Sequence, residues 1–291
     1  FIVPDTRIAY ANTAHRAAGS PSKRLRTIGI GGTSGKTAAA FLIQQIFQHL
    51  GKTTGALCNL CFDNGKDIAD FPEIRPDAKV YANWLGAMVS NDCQFACIEL
   101  DQKDLADHSL AYIELDYAVI TRLSDFKSSM SDTGQQAQRA ASNIIDSLKP
   151  DGVVIVNADD ATSRFDLPLI ESPALTIGSN DDCDIWVEHL NHSADGQRFR
   201  IHAGGASAVA FTSIIGHHHV YHCLQATALA LLEGYTLPEI TEAIGRVASI
   251  QGHLERISRG QDFDVYIDAA NSPLALRNAL HSVRQITKGR L

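Results

Sequence analysis

Gly32-Thr33-Ser34-Gly35-Lys36-Thr37 is the segment whose residue types and spacing could do chemistry. Its glycines let a backbone curl until successive N–H groups converge, and a helix beginning near Lys36 would add its positive end at the same point. Such a cradle suits phosphate. Lys36 would reach the β- and γ-phosphates of a nucleotide, and the Thr37 hydroxyl would ligate Mg²⁺. The strict pattern G-x-x-x-x-G-K-[ST] is missed by one position, because Ile30 stands where its first glycine belongs. The competing reading is a glycine-rich strand-to-helix turn with an incidental Lys-Thr pair.

Two further clusters invite a metal reading. Cys58 and Cys61 form a C-x-x-C, with Cys93 and Cys97 a wider pair. The second pair lacks zinc-ligand spacing, so free buried thiols are expected for these four and for Cys183 and Cys223. His218 and His222 are four apart in His217-His218-His219-Val220-Tyr221-His222-Cys223 and would share a helix face. No acidic partner stands near them, and neutral histidines at a helix start are expected.

The elements that must position the loop read as alternating strands and helices. Strands are expected at 25–30, 53–58, 95–100, 117–121 and 152–157, and helices at 36–50, 77–89 and 133–148. This order predicts a mostly parallel sheet with helices on both faces. Between 185 and 213 short alternating segments with polar turns predict a small antiparallel sheet appended to the main one, followed by helices at 218–233 and 237–247. A linker near Gly252 leads to a strand at 265–267 and a helix after Pro273, the start of a further α/β domain. Residues 1–24, polar and broken by Gly19-Ser20-Pro21-Ser22, read as a linker or the tail of another element.

Composition sets the bounds. Of 291 residues, 45% are hydrophobic and 20% charged, which excludes a disordered or fibrous chain. The 25 basic and 33 acidic residues leave a net charge of −8. A diffuse acidic balance argues against non-specific nucleic-acid binding. The longest apolar runs, 38–43 and 226–232, are too short for a membrane span. A soluble, cytoplasmic protein is expected. The chain opens at Phe1 without a charged-then-apolar leader and stops at Leu291 where another strand is due, so a fragment or a chain without flanking parts is expected.

Taken in order, the motifs resemble the Mur ligase family. G-T-x-G-K-[ST] is that family's loop, and residues 99–123 align without a gap on its branch that makes UDP-N-acetylmuramoyl-tripeptides. Leu148-Lys149-Pro150-Asp151-Gly152 with Val156-Asn157-Ala158-Asp159-Asp160 resembles L-K-P-G-G…V-N-A-D-D. Residues 216–226 resemble the G-x-F-N-V-x-N helix start. Gln251-Gly252-His253-Leu254-Glu255 and Asp268-Ala269-Ala270-Asn271-Ser272-Pro273 resemble P-G-R-M-E and D-Y-A-H-T-P. The resemblance implies a remnant of an N-terminal domain and linker at 1–24, a P-loop-like central ATP-binding domain at 25–249, and the truncated beginning of a C-terminal domain at 250–291.

What the resemblance implies is ATP-dependent amide synthesis. A carboxylate of UDP-N-acetylmuramoyl-dipeptide takes the γ-phosphoryl group, and the amine of an amino acid displaces phosphate from the acyl phosphate. ATP contacts fall on Gly32, Thr33, Ser34, Gly35, Lys36 and Thr37, with His219 and Asp268. Mg²⁺ ligands fall on Thr37 and Glu99. The expected partners are a nucleotide, a UDP-sugar-peptide and an amino acid.

Several family positions depart. The carbamylated lysine falls on Ala141, and Thr121-Arg122-Leu123-Ser124-Asp125-Phe126-Lys127 lacks the metal-binding histidine; Asp125 or Asp101 would be the substitute oxygen ligand. Substrate-side hydroxyl and amide donors become Arg75, Asp101 and Asp107, whose acidic members would repel an anionic ligand. The adenine-side asparagines become His219 and His222. The alternative is therefore a catalytically degraded, nucleotide-binding paralogue with a binding or assembly role. A P-loop hydrolase of unrelated purpose explains the loop but not the later motifs.

Overall fold

β1 (Arg26–Gly31) lies inside an 11-stranded sheet, between β5 (Phe95–Glu99) and β6 (Leu115–Ile120), and parallel to both. The computed structural model describes residues 2–123, 142–160, 163, 170–270 and 273–291. β2 (Thr54–Leu57) continues the sheet beyond β5; β7 (Leu148–Asn157) and β8 (Ala174–Gly178) continue it beyond β6, all in parallel register. The antiparallel strands expected at 185–213 are appended to this sheet, as the sequence pattern implied. β9 (Ile185–Ser193) pairs parallel with β8, and β10 (Gly196–Ala203) and β11 (Ala206–Thr212) extend the same sheet to its edge. At the other edge β3 (Cys61–Asp63) and β4 (Ile68–Asp70) add an antiparallel pair.

Each central strand sends alternate side chains to two buried layers, as a parallel sheet covered on both faces requires. Ile28, Ile30, Phe95, Cys97, Tyr117 and Val119 face α2 (Lys36–His49), α5 (His217–Leu232) and α6 (Leu237–Arg246). Ala96, Ile98, Ala118 and Ile120 face α3 (Ala78–Ser90). On β1 that second face is glycine. A methyl group at Gly31 would lie 2.1 Å from Ile144 Cδ1, so the side chains opposite rest directly on the backbone.

Residues 1–24 hold more order than a linker. α1 (Thr6–Ala17) is capped by Asp5, whose carboxylate accepts from the Arg7 and Ile8 amides, and it packs on α3, burying Ala11 and His15. Further small elements are α4 (Gln102–Ala106), the β12–β13 pair (Glu255–Ile257 and Val265–Ile267) and α7 (Pro273–Ile286). Residues 142–145 are helical, but β7 begins at Leu148, earlier than the expected 152. The rest of the helix expected at 133–148 lies outside the described residues. Among the described residues no helix is long and apolar enough to cross a membrane.

Asp116 pins the starts of the central strands. Its carboxylate accepts from the Thr27 amide at 2.8 Å and hydroxyl at 3.0 Å, from Lys149 Nζ at 2.7 Å and from Arg26 at 3.1 Å. Asp116→Ala would leave the Thr27 amide and the half-buried Lys149 without that partner, a loss of about 3 kcal/mol. Urea unfolding should show it as a lowered midpoint with an unchanged slope.

Candidate functional site

The site forms at the carboxyl ends of β1, β5 and β6, where the chain leaves β1 toward one side of the sheet and β6 lies on the other. Ligands of open α/β sheets collect at this kind of switch point. Gly32 has φ +137° and Gly35 φ +81°, and these conformations turn the chain from β1 into α2. A Cβ at Gly32 would sit 2.2 Å from Thr121 Oγ1 and 2.8 Å from the Arg122 carbonyl. Those two residues clamp the loop. Thr121 Oγ1 lies 3.0 Å from Gly31 O and 2.8 Å from Ser34 O, and the Thr33 amide and hydroxyl bond the Arg122 carbonyl at 2.7 and 2.9 Å. Gly35 caps α2 without a side chain, so the cap residue supplies no acceptor to the first-turn N–H groups. Lys36 curls back, its ammonium 3.1 Å from the Gly32 carbonyl. Ser34 is half-buried in the loop.

Thr37 and Glu99 come together as expected. The Thr37 hydroxyl donates to Glu99 Oε2 at 2.9 Å; Asn59 adds its amide to the same oxygen at 2.9 Å and its side-chain NH₂ to Oε1 at 3.0 Å. Asn59, at the end of β2, escaped the sequence reading, since nothing ties it in sequence to a glutamate 40 positions on. Glu99 is 4% exposed. Burial pushes its carboxyl above the ordinary range, against the Asn59 amide, Lys36 and Thr37, which favour the charge. A hydroxyl and a buried carboxylate without a bonded cation are hard oxygen donors, and they fit Mg²⁺.

A raised carboxyl means the native state keeps its proton to higher pH than the unfolded chain, so stability falls as pH rises from about 4.5 through the raised value. Glu99→Gln removes that penalty. The ligand-free variant should gain on the wild type as pH rises, on top of a pH-independent cost of setting its amide NH₂ against a donor of Asn59 or Thr37. Thermal melts at pH 5 and pH 8 check this: the gain should be larger at pH 8.

The repulsion expected from Asp101 is offset. Arg75 Nη1 bonds Asp101 and Asp104, both at 2.7 Å, and the Tyr81 hydroxyl donates to Asp104 at 2.9 Å. Burial raises the Asp101 carboxyl, but the Lys103 amide, Arg75 and Lys36 prevail and hold it below the usual range. Arg75 thus shares its single positive charge between two carboxylates. Ala141, Asp125, Phe126 and Lys127 lie outside the described residues, as does Asn271.

His219 is 1% exposed, and neither of its ring nitrogens has a hydrogen-bond partner. Its ring is 4.0 Å from that of His218, 5.6 Å from His222 and 6.4 Å from His253. Burial first, then mutual repulsion, pushes His218 down to about 3 and His219 well below its ordinary value. The group is neutral at pH 7. Asp268 stands at its far side, accepting from the Leu254 and Ala270 amides at 2.9 Å and reaching His253 through its charge. The structure thus gathers the loop, Thr37 and Glu99 into one cradle and links His219 and Asp268 only through the histidine group. All six cysteines are free thiols, with Cys61 only partly buried. Among the described residues no group of three or more His, Cys, Asp or Glu is placed to hold a metal.

Together the sheet order and the loop at its switch point define a doubly wound α/β protein with an anion-cradle architecture. Residues 30–230 match the Mur ligase middle domain, and the chain belongs to the Mur ligase family. The UDP-N-acetylmuramoyl-L-alanyl-D-glutamate–2,6-diaminopimelate ligase of Geobacillus kaustophilus is 29% identical over 294 residues, covering 99% of this chain and 60% of that protein. A UDP-N-acetylmuramyl-tripeptide synthetase of Roseiflexus sp. is 29% identical over 305 residues, with the same coverage of 99% and 60%. The chain thus spans about 60% of the length of these relatives. A solved diaminopimelate ligase of the same description superposes with a TM-score of 0.81 at 21% identity, over 100% of this chain and 60% of that one. The folylpolyglutamate synthase of Mycobacterium tuberculosis, solved with ADP, superposes with a TM-score of 0.77 at 18% identity, over 96% and 70%. At these identities the structures show the shared fold.

Proposed function

We propose that the chain is the nucleotide-binding part of a cytoplasmic, ATP-dependent, amide-forming ligase that adds an amino acid to UDP-N-acetylmuramoyl-dipeptide in peptidoglycan precursor synthesis. The carrying observation is the glycine loop with Lys36 and the Thr37–Glu99 pair at the carboxyl ends of β1 and β5. The ligases named among its relatives support the choice of substrates. In this reading residues 25–249 are the central domain, 1–24 belong to an N-terminal part, and 250–291 open a C-terminal domain.

The chemistry is positioning and charge neutralisation. The loop amides from Gly32 to Thr37 cradle the β- and γ-phosphates, and Lys36 releases the Gly32 carbonyl to reach them. Thr37 and Glu99 would hold Mg²⁺, which would supply Lewis-acid neutralisation of phosphate charge. A substrate carboxylate oxygen bonds to the γ-phosphorus while its bond to the ADP oxygen breaks. The amino acid's nitrogen then bonds to the acyl carbon, phosphate leaves, and the amine gives up its proton. Arg75, held by Asp101 and Asp104, stands where it can orient the anionic substrate.

Calorimetric titration of MgATP into the chain tests the reading, followed by UDP-N-acetylmuramoyl-dipeptide with hydroxylamine to trap acyl phosphate as a hydroxamate. Saturable one-to-one binding with hydroxamate formation is expected. Binding without hydroxamate would favour the degraded paralogue, and no heat at millimolar MgATP would overturn the nucleotide assignment.

A further inference from the structure

The loop has a second neighbour besides Thr121 and Arg122. A methyl group placed on Gly35 would come within 2.8 Å of His222 Cε1 and 3.1 Å of its Nε2, so the imidazole lies directly against the turn that begins α2. His222 is 5% exposed. Its Nδ1 is 3.1 Å from Gln225 Oε1. A carbonyl oxygen only accepts, so Nδ1 carries the ring's proton and Nε2 presents a lone pair. That Nε2 is buried and has no hydrogen-bond partner. An unpaired acceptor beside a loop shaped to gather anions cannot donate to a phosphate until it gains a proton.

We propose that His222 is the proton acceptor of the nucleotide site: seating a polyphosphate on residues 32–37 draws one proton from solvent onto its Nε2. The proposal rests on the nucleotide reading above. A new N–H bond forms at Nε2, Nδ1–H keeps its bond to Gln225, and the imidazolium places a positive charge against the loop at the moment an anion arrives. Among the described residues, the other groups shown to face the ring are neutral or positive. On α5 they are His218 and His219, on the segment before β12 His253, and beyond β6 Arg122. Without a ligand, burial first, with His253 and Arg122 adding to it against the Gln225 hydrogen bond, holds the ring down to about 4. A bound polyphosphate reverses the sign of that surrounding charge.

The linkage has a definite direction. The ring takes up a proton on binding at any pH above about 4 and below its value in the complex. Affinity therefore strengthens as pH falls through that window, by up to about tenfold per pH unit for a full proton. Below about 4 the ring is already charged and the dependence disappears.

The test uses the whole chain and MgADP. Calorimetry at pH 6 in two buffers of different ionisation heat counts the protons taken up, and the same count on His222→Asn removes the nucleotide's own contribution. The wild type should take up more protons than the variant by a difference approaching one, and should lose affinity more steeply between pH 6 and pH 7.5. Equal counts with saturable, Lys36-dependent binding would overturn the proposal alone. Absence of MgADP binding would overturn the site assignment and the proposal with it. Two-bond ¹⁵N–¹H correlations on the ligand-free wild type give an arm free of any variant: the Nδ1–H tautomer is expected at His222, and the Nε2–H tautomer would sink the proposal. Should His222→Asn fail to fold, the ring's titration midpoint in the wild type, with and without MgADP, decides instead; it should rise from about 4 to about 7 or above, and a midpoint that stays below about pH 6 would overturn the proposal.

Discussion

Gly32→Ala is expected to abolish nucleotide binding and to lower the melting temperature by about 10 °C. The backbone at Gly32 has φ +137°, a conformation that costs an L-residue about 1–3 kcal/mol. The added methyl group would also meet Thr121 Oγ1 at 2.2 Å and the Arg122 carbonyl at 2.8 Å. A hydroxyl can rotate away, but a carbonyl in a strand-end backbone cannot, so another 1–3 kcal/mol or so of overpacking follows. The total of roughly 4 kcal/mol, at about 2–4 °C per kcal/mol, gives the shift. Thr33 would lose its two bonds to Arg122, and the amides would no longer converge. Calorimetry with MgATP and differential scanning of the same sample check both halves. Retained binding with a normal melt would show that the loop tolerates rearrangement and is not the preformed cradle described above.

Lys36→Ala should separate the two effects. Its ammonium makes one hydrogen bond, to Gly32 O at 3.1 Å, so folding should lose well under 1 kcal/mol and the melt should hardly move. Binding should fall much further. Charge-assisted hydrogen bonds to phosphate are worth roughly 1.5–3 kcal/mol, or about 10- to 100-fold in the dissociation constant, and the lost charge adds to that. Nucleotide turnover, where the complete ligase supports it, should disappear. Unchanged affinity in Lys36→Ala would remove the loop from the nucleotide reading, because Lys36 is the cation that the loop itself carries. Comparing the variants distinguishes a damaged cradle from a missing charge.

The strand–loop–helix at 25–50 was legible because three local signals coincide there: a short apolar run, a glycine turn and a helical apolar stripe. The alternating order of elements was legible for the same reason. Of the elements of three to five residues, β2, β5 and β13 were legible and the others were not. β3, β4 and α4 are too short for any period to emerge, and β8 follows a stretch without clear patterning. α1 was missed because its apolar positions are scattered around the helix; its signal was the cap residue Asp5 and the buried Ala11 and His15. At the site, Lys36, Thr37 and Glu99 were found from motif and resemblance. Their supports were not, since Asn59, Thr121 and Arg75 act through contacts 26 to 90 residues away in the chain. The offset of Asp101 by Arg75 illustrates the cost: two substitutions that each look damaging in sequence neutralise one another in space.

The clamp on the loop also sets an order of events during synthesis. Residues 32–37 leave the ribosome before their partners: Thr37 must wait for one 62 residues later, and Thr33 for one 89 residues later. β1 itself has no neighbour in register until β5 and β6 exist. Such distant pairings are slow to close and leave strand edges open meanwhile. A nascent chain arrested before Phe95 should therefore carry the complete glycine motif and still bind no phosphate. It would present β1 as an unpaired apolar edge, the segment a chaperone would have to shield.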